Sequence, residues 1–168
     1  MKKSQIIIGT ASWGSKINFN KALEIGNSIV SIGLNHFDSA PNYGSGYSHH
    51  ILNILGKKKD IFVDTKYGQD IVLSSKEIAK RIYRFTNFKL FKQSFRYIKF
   101  NNQERNNKNF WKIEKLEQAL NLYSKDLNNC KIKTFYLHCP PYGILNNEYL
   151  EKFFNLLNNK NILPAISE

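Results

Sequence analysis

Apolar, strand-length runs alternate with helix-period segments along most of this chain, and that alternation limits the fold more than any other feature. QIIIG at 5–9 reads as a short buried strand stopped by glycine, and LNHFDSA at 34–40 as a second strand broken by Pro41. IFVDTK (61–66), KIKTFYLH (131–138) and NILPAIS (161–167) supply three more. Between the first two strands, Ala22, Leu23, Ile25, Ile29 and Ile32 fall near helical spacing over 20–32, and Gly33 ends the helix. Residues 47–55 predict a short helix closed by Gly56; 112–127 set Ile113, Leu116, Leu120 and Leu127 on one face; 148–159 predict a fourth helix. Such repetition requires a parallel sheet with crossover helices, in either an open doubly wound sheet or a barrel. The strands read as continuous apolar runs, as strands covered on both faces do.

The chain has 168 residues, of which 42% are hydrophobic and 14% aromatic, enough for one ordinary domain with a packed core and unlike a disordered composition. No apolar run approaches the roughly 18 residues of a membrane span. The start, MKKSQIIIGTASWG, has too short an apolar stretch for a secretory signal and reads as the first strand. Cys130 and Cys139 would stand at opposite ends of one strand, which argues against a disulfide and for a reducing, cytoplasmic setting. The net charge of +12 is localised: residues 72–112 hold eleven Lys or Arg against Glu77 and Glu104. The segment 70–110 also interleaves eight aromatics, including Tyr83, Phe95 and Phe110, and is far longer than a usual strand-to-helix loop. It reads as a basic, aromatic insertion or lid between the third strand and the next helix, with a short helix over 76–83.

Four residues stand at or just past predicted strand ends, where both parallel architectures gather their chemistry: Asp38 in HFDSA, Tyr43 in PNYG, Lys66 in VDTK and His138 in FYLHCPP. A phenol that gives a proton, an ammonium and a carboxylate that tune it, and an imidazole that orients a carbonyl form a site for carbonyl reduction. Singly, each has a plain structural reading: a turn tyrosine, a capping aspartate, an exposed lysine, a hydrogen-bonded histidine. The ordered set favours function. His49 and His50 read as a solvated helix start, since no third ligand makes them a metal site.

The runs IIIGTASWG, GLNHFDSAPNYGSGYSHHILN, VDTKYG and FYLHCPP resemble, in order and spacing, the aldo-keto reductase superfamily. The resemblance implies an α/β fold, a (β/α)8 TIM-type barrel of which this single domain, 1–168, carries about five of eight units. It implies reversible NADPH-dependent reduction of a small aldehyde or ketone, with Tyr43 as proton donor and Asp38, Lys66 and His138 completing a catalytic tetrad. On that reading Lys66 would favour the Tyr43 phenolate while Asp38 compensates the ammonium. Thr10, Asp38 and Ser167 become expected cofactor contacts, and Trp13 an expected lining of the substrate mouth. Two departures stand out. Ser48–His49 replaces a Ser-Glu pair common in the family, and Ser167–Glu168 replaces a Ser-Asn pair that holds the nicotinamide amide. A complete barrel takes about 250 residues, so the chain reads as C-terminally truncated, with the catalytic side present and most of the cofactor side beyond it.

Two further readings stay beside the reductase. One is a non-catalytic half-barrel that pairs through exposed strand edges with its own copy or another chain. The other is RNA or membrane-surface binding through 72–112, against which the segment shows no RNP-type motif and no clean amphipathic period, so a solvated insertion is preferred.

Overall fold

Five strands pair in parallel in their order along the chain, with no reversal of direction across the sheet. The computed structural model describes residues 6–68 and 108–167. The strands are β1 (Ile8–Gly9), β2 (His36–Asp38), β3 (Phe62–Tyr67), β4 (Lys131–His138) and β5 (Leu163–Ser167). Helices α1 (Phe19–Ser31), α2 (Tyr47–Gly56), α3 (Ile113–Asp126) and α4 (Asn147–Asn158) follow β1 to β4 in turn. A doubly wound sheet needs a point where strand order switches; strictly sequential order, with right-handed crossovers, keeps every helix on one face and curls the sheet as a barrel does. The barrel-type alternative left open by periodicity is therefore the one adopted, in four βα steps and a fifth strand.

Local chemistry explains each helix. Asn18 caps α1 by accepting from Lys21 N at 2.9 Å, and Asn146 caps α4 by accepting from Tyr149 N at 2.8 Å. In α3, Leu116, Ala119, Leu120 and Tyr123 recur at three- and four-residue spacing and form the buried face. Two apolar clusters fill the space between helices and sheet. Under α1 and α2 lie Trp13, Phe37, Ile51, Leu52 and Val63; under α3 and α4 lie Trp111, Leu120, Phe135, Leu137 and Phe153.

Most of the 70–110 insertion, including the helix expected at 76–83, lies outside the described residues. Its last residue is not part of a solvated insertion. Phe110 stacks on Tyr67 with ring centroids 4.7 Å apart and its carbonyl accepts from the Tyr67 hydroxyl at 2.6 Å, which brings the chain back onto the sheet. A second correction concerns α2. His49 is fully buried, with Nε2 3.1 Å from the Thr65 hydroxyl and its ring edge-on to Tyr123, while His50 lies half-buried against Phe19. Helix α2 turns this face to the sheet, so the expectation of a solvated helix start fails at His49.

The opposite face of the sheet carries His36, Asp38, Asp64, Lys66, Tyr136 and His138, as the strand register requires: Asp38 pairs with Asp64, and Lys66 with Tyr136. His36 Nε2 lies 2.9 Å from Asp64 Oδ1. Apolar side chains stand exposed at both edges, Ile6 and Ile7 before β1 and Leu163 and Ile166 on β5. Among the described residues, no helix is long and apolar enough to cross a membrane.

Burial lowers the His49 imidazole from 6.5 to about 3. The unfolded chain therefore takes a proton at His49 below about pH 6.5 that the fold does not take until about pH 3. Stability drains away as pH falls through that window and levels off beneath it. Urea unfolding between pH 7 and pH 4 is expected to show a shallower slope in His49→Gln than in the parent; equal slopes would contradict this environment for His49.

Candidate active site

The strand register sets the site. Asp38 is the last residue of β2, and Lys66 stands two residues beyond Asp64, the register partner of Asp38, on the same face of β3. Lys66 Nζ meets Asp38 Oδ1 in a direct ion pair. The lysine side chain is 10% exposed and the aspartate 30%, so the ammonium is nearly enclosed while the carboxylate still reaches solvent. Tyr43 opens a short 3-10 turn, Tyr43–Gly46, immediately before α2. Lys66 Nζ lies 5.8 Å from its ring centroid.

Gly44 allows this turn to sit where it does. Its φ is +52°, and a Cβ there would collide with the Trp13 carbonyl oxygen and the Gly14 backbone. Only glycine lets the Tyr43 turn lie against the loop after β1. At the end of β4, His138 Nδ1 lies 2.9 Å from Ser167 Oγ, while the Cys139 N–H donates to Ser167 O at 2.7 Å. Neighbouring β5 thus fixes the imidazole. Asp38, Lys66 and His138 lie at or next to the carboxyl ends of β2, β3 and β4 and Tyr43 in the turn after β2, with Asp38, Lys66 and Tyr43 close together and His138 one strand over.

The electrostatics at Tyr43 differ from expectation. Burial first, and the Asp38 carboxylate second, hold its phenol above the ordinary value of 10.0. Lys66 was expected to draw the phenol down, but burial and the Asp38 carboxylate, which repels a phenolate, outweigh that pull. The phenol accordingly stays protonated at neutral pH.

Other expected contacts fall elsewhere. Thr10 is completely buried; its hydroxyl donates to Asp38 O at 2.9 Å and lies 2.5 Å from Ser48 Oγ, which in turn is 2.7 Å from Ser39 Oγ. This hydroxyl chain ties β1, β2 and α2 together beneath the site and leaves the Thr10 side chain no surface to offer a cofactor. Trp13 is 3% exposed, with its ring 5.8 Å from that of Phe37 on the helix-covered face. It is a core residue and does not line a substrate mouth. Ser167 is partly exposed at the strand end but serves His138 directly. One residue escaped sequence reasoning: Tyr136, whose ring centroid lies 5.0 Å from Lys66 Nζ. Its position two residues before His138 places it on the same strand face, a signal that alternation alone carries.

The profile of the aldo/keto reductase family matches residues 5–158. The chain belongs to that family. Among solved structures, the aldo-keto reductase AKR11C1 from Bacillus halodurans in its holo form shares the fold at a TM-score of 0.65 and 18% identity, over 97% of this chain and 46% of that one. Glycerol dehydrogenase AKR11B4 from Gluconobacter oxydans aligns at a TM-score of 0.62 and 16% identity, over 98% of this chain and 44% of its own. The thermostable aldo-keto reductase Tm1743, in complex with the inhibitor epalrestat, aligns at 0.57 and 15% identity, over 96% and 48%. The chain thus spans less than half the length of these structures. A search of curated proteins finds no significant match.

Proposed function

We propose that the chain carries the proton-donating side of an NADPH-dependent carbonyl reductase, with Tyr43 giving the proton to the oxygen of an aldehyde or ketone. The observation that carries this reading is the joining of Asp38, Lys66 and Tyr43 at adjacent strand ends, in a chain of the aldo/keto reductase family. As a carbonyl is reduced, its oxygen gains negative charge and needs an acid beside it. A phenol held above 10.0 is protonated throughout the neutral range, so the donor is always loaded. The Lys66 ammonium, kept in place by Asp38, sits where it can stabilise the phenolate left behind. His138, oriented by Ser167, holds the carbonyl toward Tyr43.

The residues present fit one end of the cofactor. Asp38 and Ser167 keep partial exposure at the ends of β2 and β5 and suit the polar nicotinamide and ribose groups, whereas buried Thr10 does not. Once bound there, a reduced nicotinamide supplies the hydride. The parts of the cofactor beyond the nicotinamide would be gripped by segments other than these five strands.

A second reading rests on the sheet edges. Leu163 is 57% exposed and Ile166 44% on β5, with Ile6 and Ile7 similarly open at the other edge. Among the described residues no strand pairs with the outer sides of β1 and β5, and parallel edges with apolar side chains are templates for further strands. On this reading the chain associates through them with a copy of itself or with a complementing chain.

Titration with NADPH, followed by nicotinamide fluorescence, is expected to show saturable binding. Tyr43→Phe should keep that binding while carbonyl reduction falls by about 10²- to 10⁴-fold. A folded sample that binds no NADPH, or a Phe variant of unchanged rate, overturns the reductase reading. For the edges, sedimentation velocity should show a dimer or larger species at micromolar concentration, and a lone monomer would rule association out.

A further inference from the structure

The Lys66 ammonium lies between two aromatic rings that reach it from opposite sides. Tyr43 follows β2 and Tyr136 sits on β4, so they flank β3 left and right, with ring centroids 5.8 Å and 5.0 Å from Nζ. Both distances fall within the roughly 6 Å over which a cation is attracted to a ring face. The register sets up the closer contact: Lys66 and Tyr136 are directly paired between β3 and β4, which puts their side chains next to each other on one face. Asp38 approaches the same ammonium from β2. A flexible four-carbon side chain is thereby restrained from three directions although only one of its partners is charged.

We propose that Tyr136 is a positioning residue whose ring clamps the Lys66 ammonium against Asp38 and beside Tyr43. This rests on the reductase reading of the site, which it deepens by adding a fifth side chain to the tetrad. The ring does two things. It excludes water from one side of the ammonium, which leaves the lysine only 10% exposed on a sheet face otherwise partly open. It also adds attraction that directs Nζ along the sheet, where Asp38 alone would allow the long side chain to swing. The hydroxyl is not required for either effect. Burial, Asp64 and Asp38 all hold the Tyr136 phenol above its ordinary value, so it remains neutral and does not compete as an acid with Tyr43. The titratable groups around the clamp are Asp64 and Lys66 on β3, His36 and Asp38 on β2, Tyr43 on the 3-10 turn and His138 on β4 itself. On β5 the register partner of Tyr136 is Ala165, which brings no charge.

The test compares Tyr136→Phe, which keeps the ring, with Tyr136→Leu and Tyr136→Gln, which remove it. Two readouts are taken: the titration of Tyr43, by carbon NMR of ring-labelled tyrosine on the protein without cofactor, and the steady-state reduction of a carbonyl. Loss of the clamp lets the ammonium drift from Tyr43, so the Leu and Gln variants should titrate Tyr43 at higher pH than the parent. Their kcat should fall by about two- to thirtyfold with KM little changed. The Phe variant should match the parent in both readouts. Equal damage by Phe and Leu would show that the hydroxyl acts, and would overturn the clamp. Ringless variants that fold and leave the Tyr43 titration unmoved would overturn it as well. The NMR readout needs no cofactor, so a chain that proves unable to reduce carbonyls refutes the reductase reading without touching this one.

Discussion

The ion pair between Lys66 and Asp38 is the interaction on which the site depends. A lysine that is 10% exposed has lost nearly all its water, and only a carboxylate in contact makes that tolerable. Removing the partner of a fully buried pair costs about 3–5 kcal/mol; the cost here is smaller because Asp38 keeps 30% of its surface in solvent. The pair exists because parallel pairing of β2 with β3 sets Asp38 opposite Asp64 and carries Lys66 one step further on the same face. It then arranges what surrounds it. Tyr43 is held protonated beside a carboxylate whose charge is already shared, Tyr136 closes the other side of the ammonium, and His138 is aligned from the next strand by Ser167.

Much of this was legible in the sequence. The five apolar runs and four helical periods fall within a few residues of the observed elements, and β4 coincides with its expected span, because buried strands and amphipathic helices leave unambiguous spacing. Asp38, Tyr43, Lys66 and His138 were recognisable because strand ends are marked by breakers such as Pro41 and the Pro140–Pro141 pair. Sheet order was not legible. The same periodicity serves a doubly wound sheet and a barrel, and only the sequential pairing of β1 to β5 separates them.

The misplaced residues share a cause. Thr10, Trp13 and His49 are polar or amphipathic side chains near the site in sequence, and a position near a strand end does not say which face of the sheet a side chain takes. Thr10 bonds Asp38 O and Ser48, Trp13 packs on Phe37, and His49 bonds Thr65, all on the covered side. The Tyr43 phenol was misjudged for a related reason. A lysine nearby suggests a lowered pKa, but burial first and the Asp38 carboxylate second set the direction at Tyr43, and both follow from how the strands and the turn pack. Tyr136 was overlooked although its i, i+2 relation to His138 was plain in KIKTFYLH.

Burial first and the Asp38 carboxylate second hold the Tyr43 phenol above its ordinary value, and the carboxylate, paired with Lys66, is the part that a substitution can remove. Titration of ring-labelled Tyr43 by carbon NMR in the parent and in Asp38→Asn tests it directly. Loss of the carboxylate removes the repulsion of a phenolate and releases the Lys66 charge toward the ring, so the Tyr43 phenol should titrate at lower pH in the variant than in the parent. A Tyr43 titration that stays put or moves to higher pH in a folded Asp38→Asn protein would contradict it.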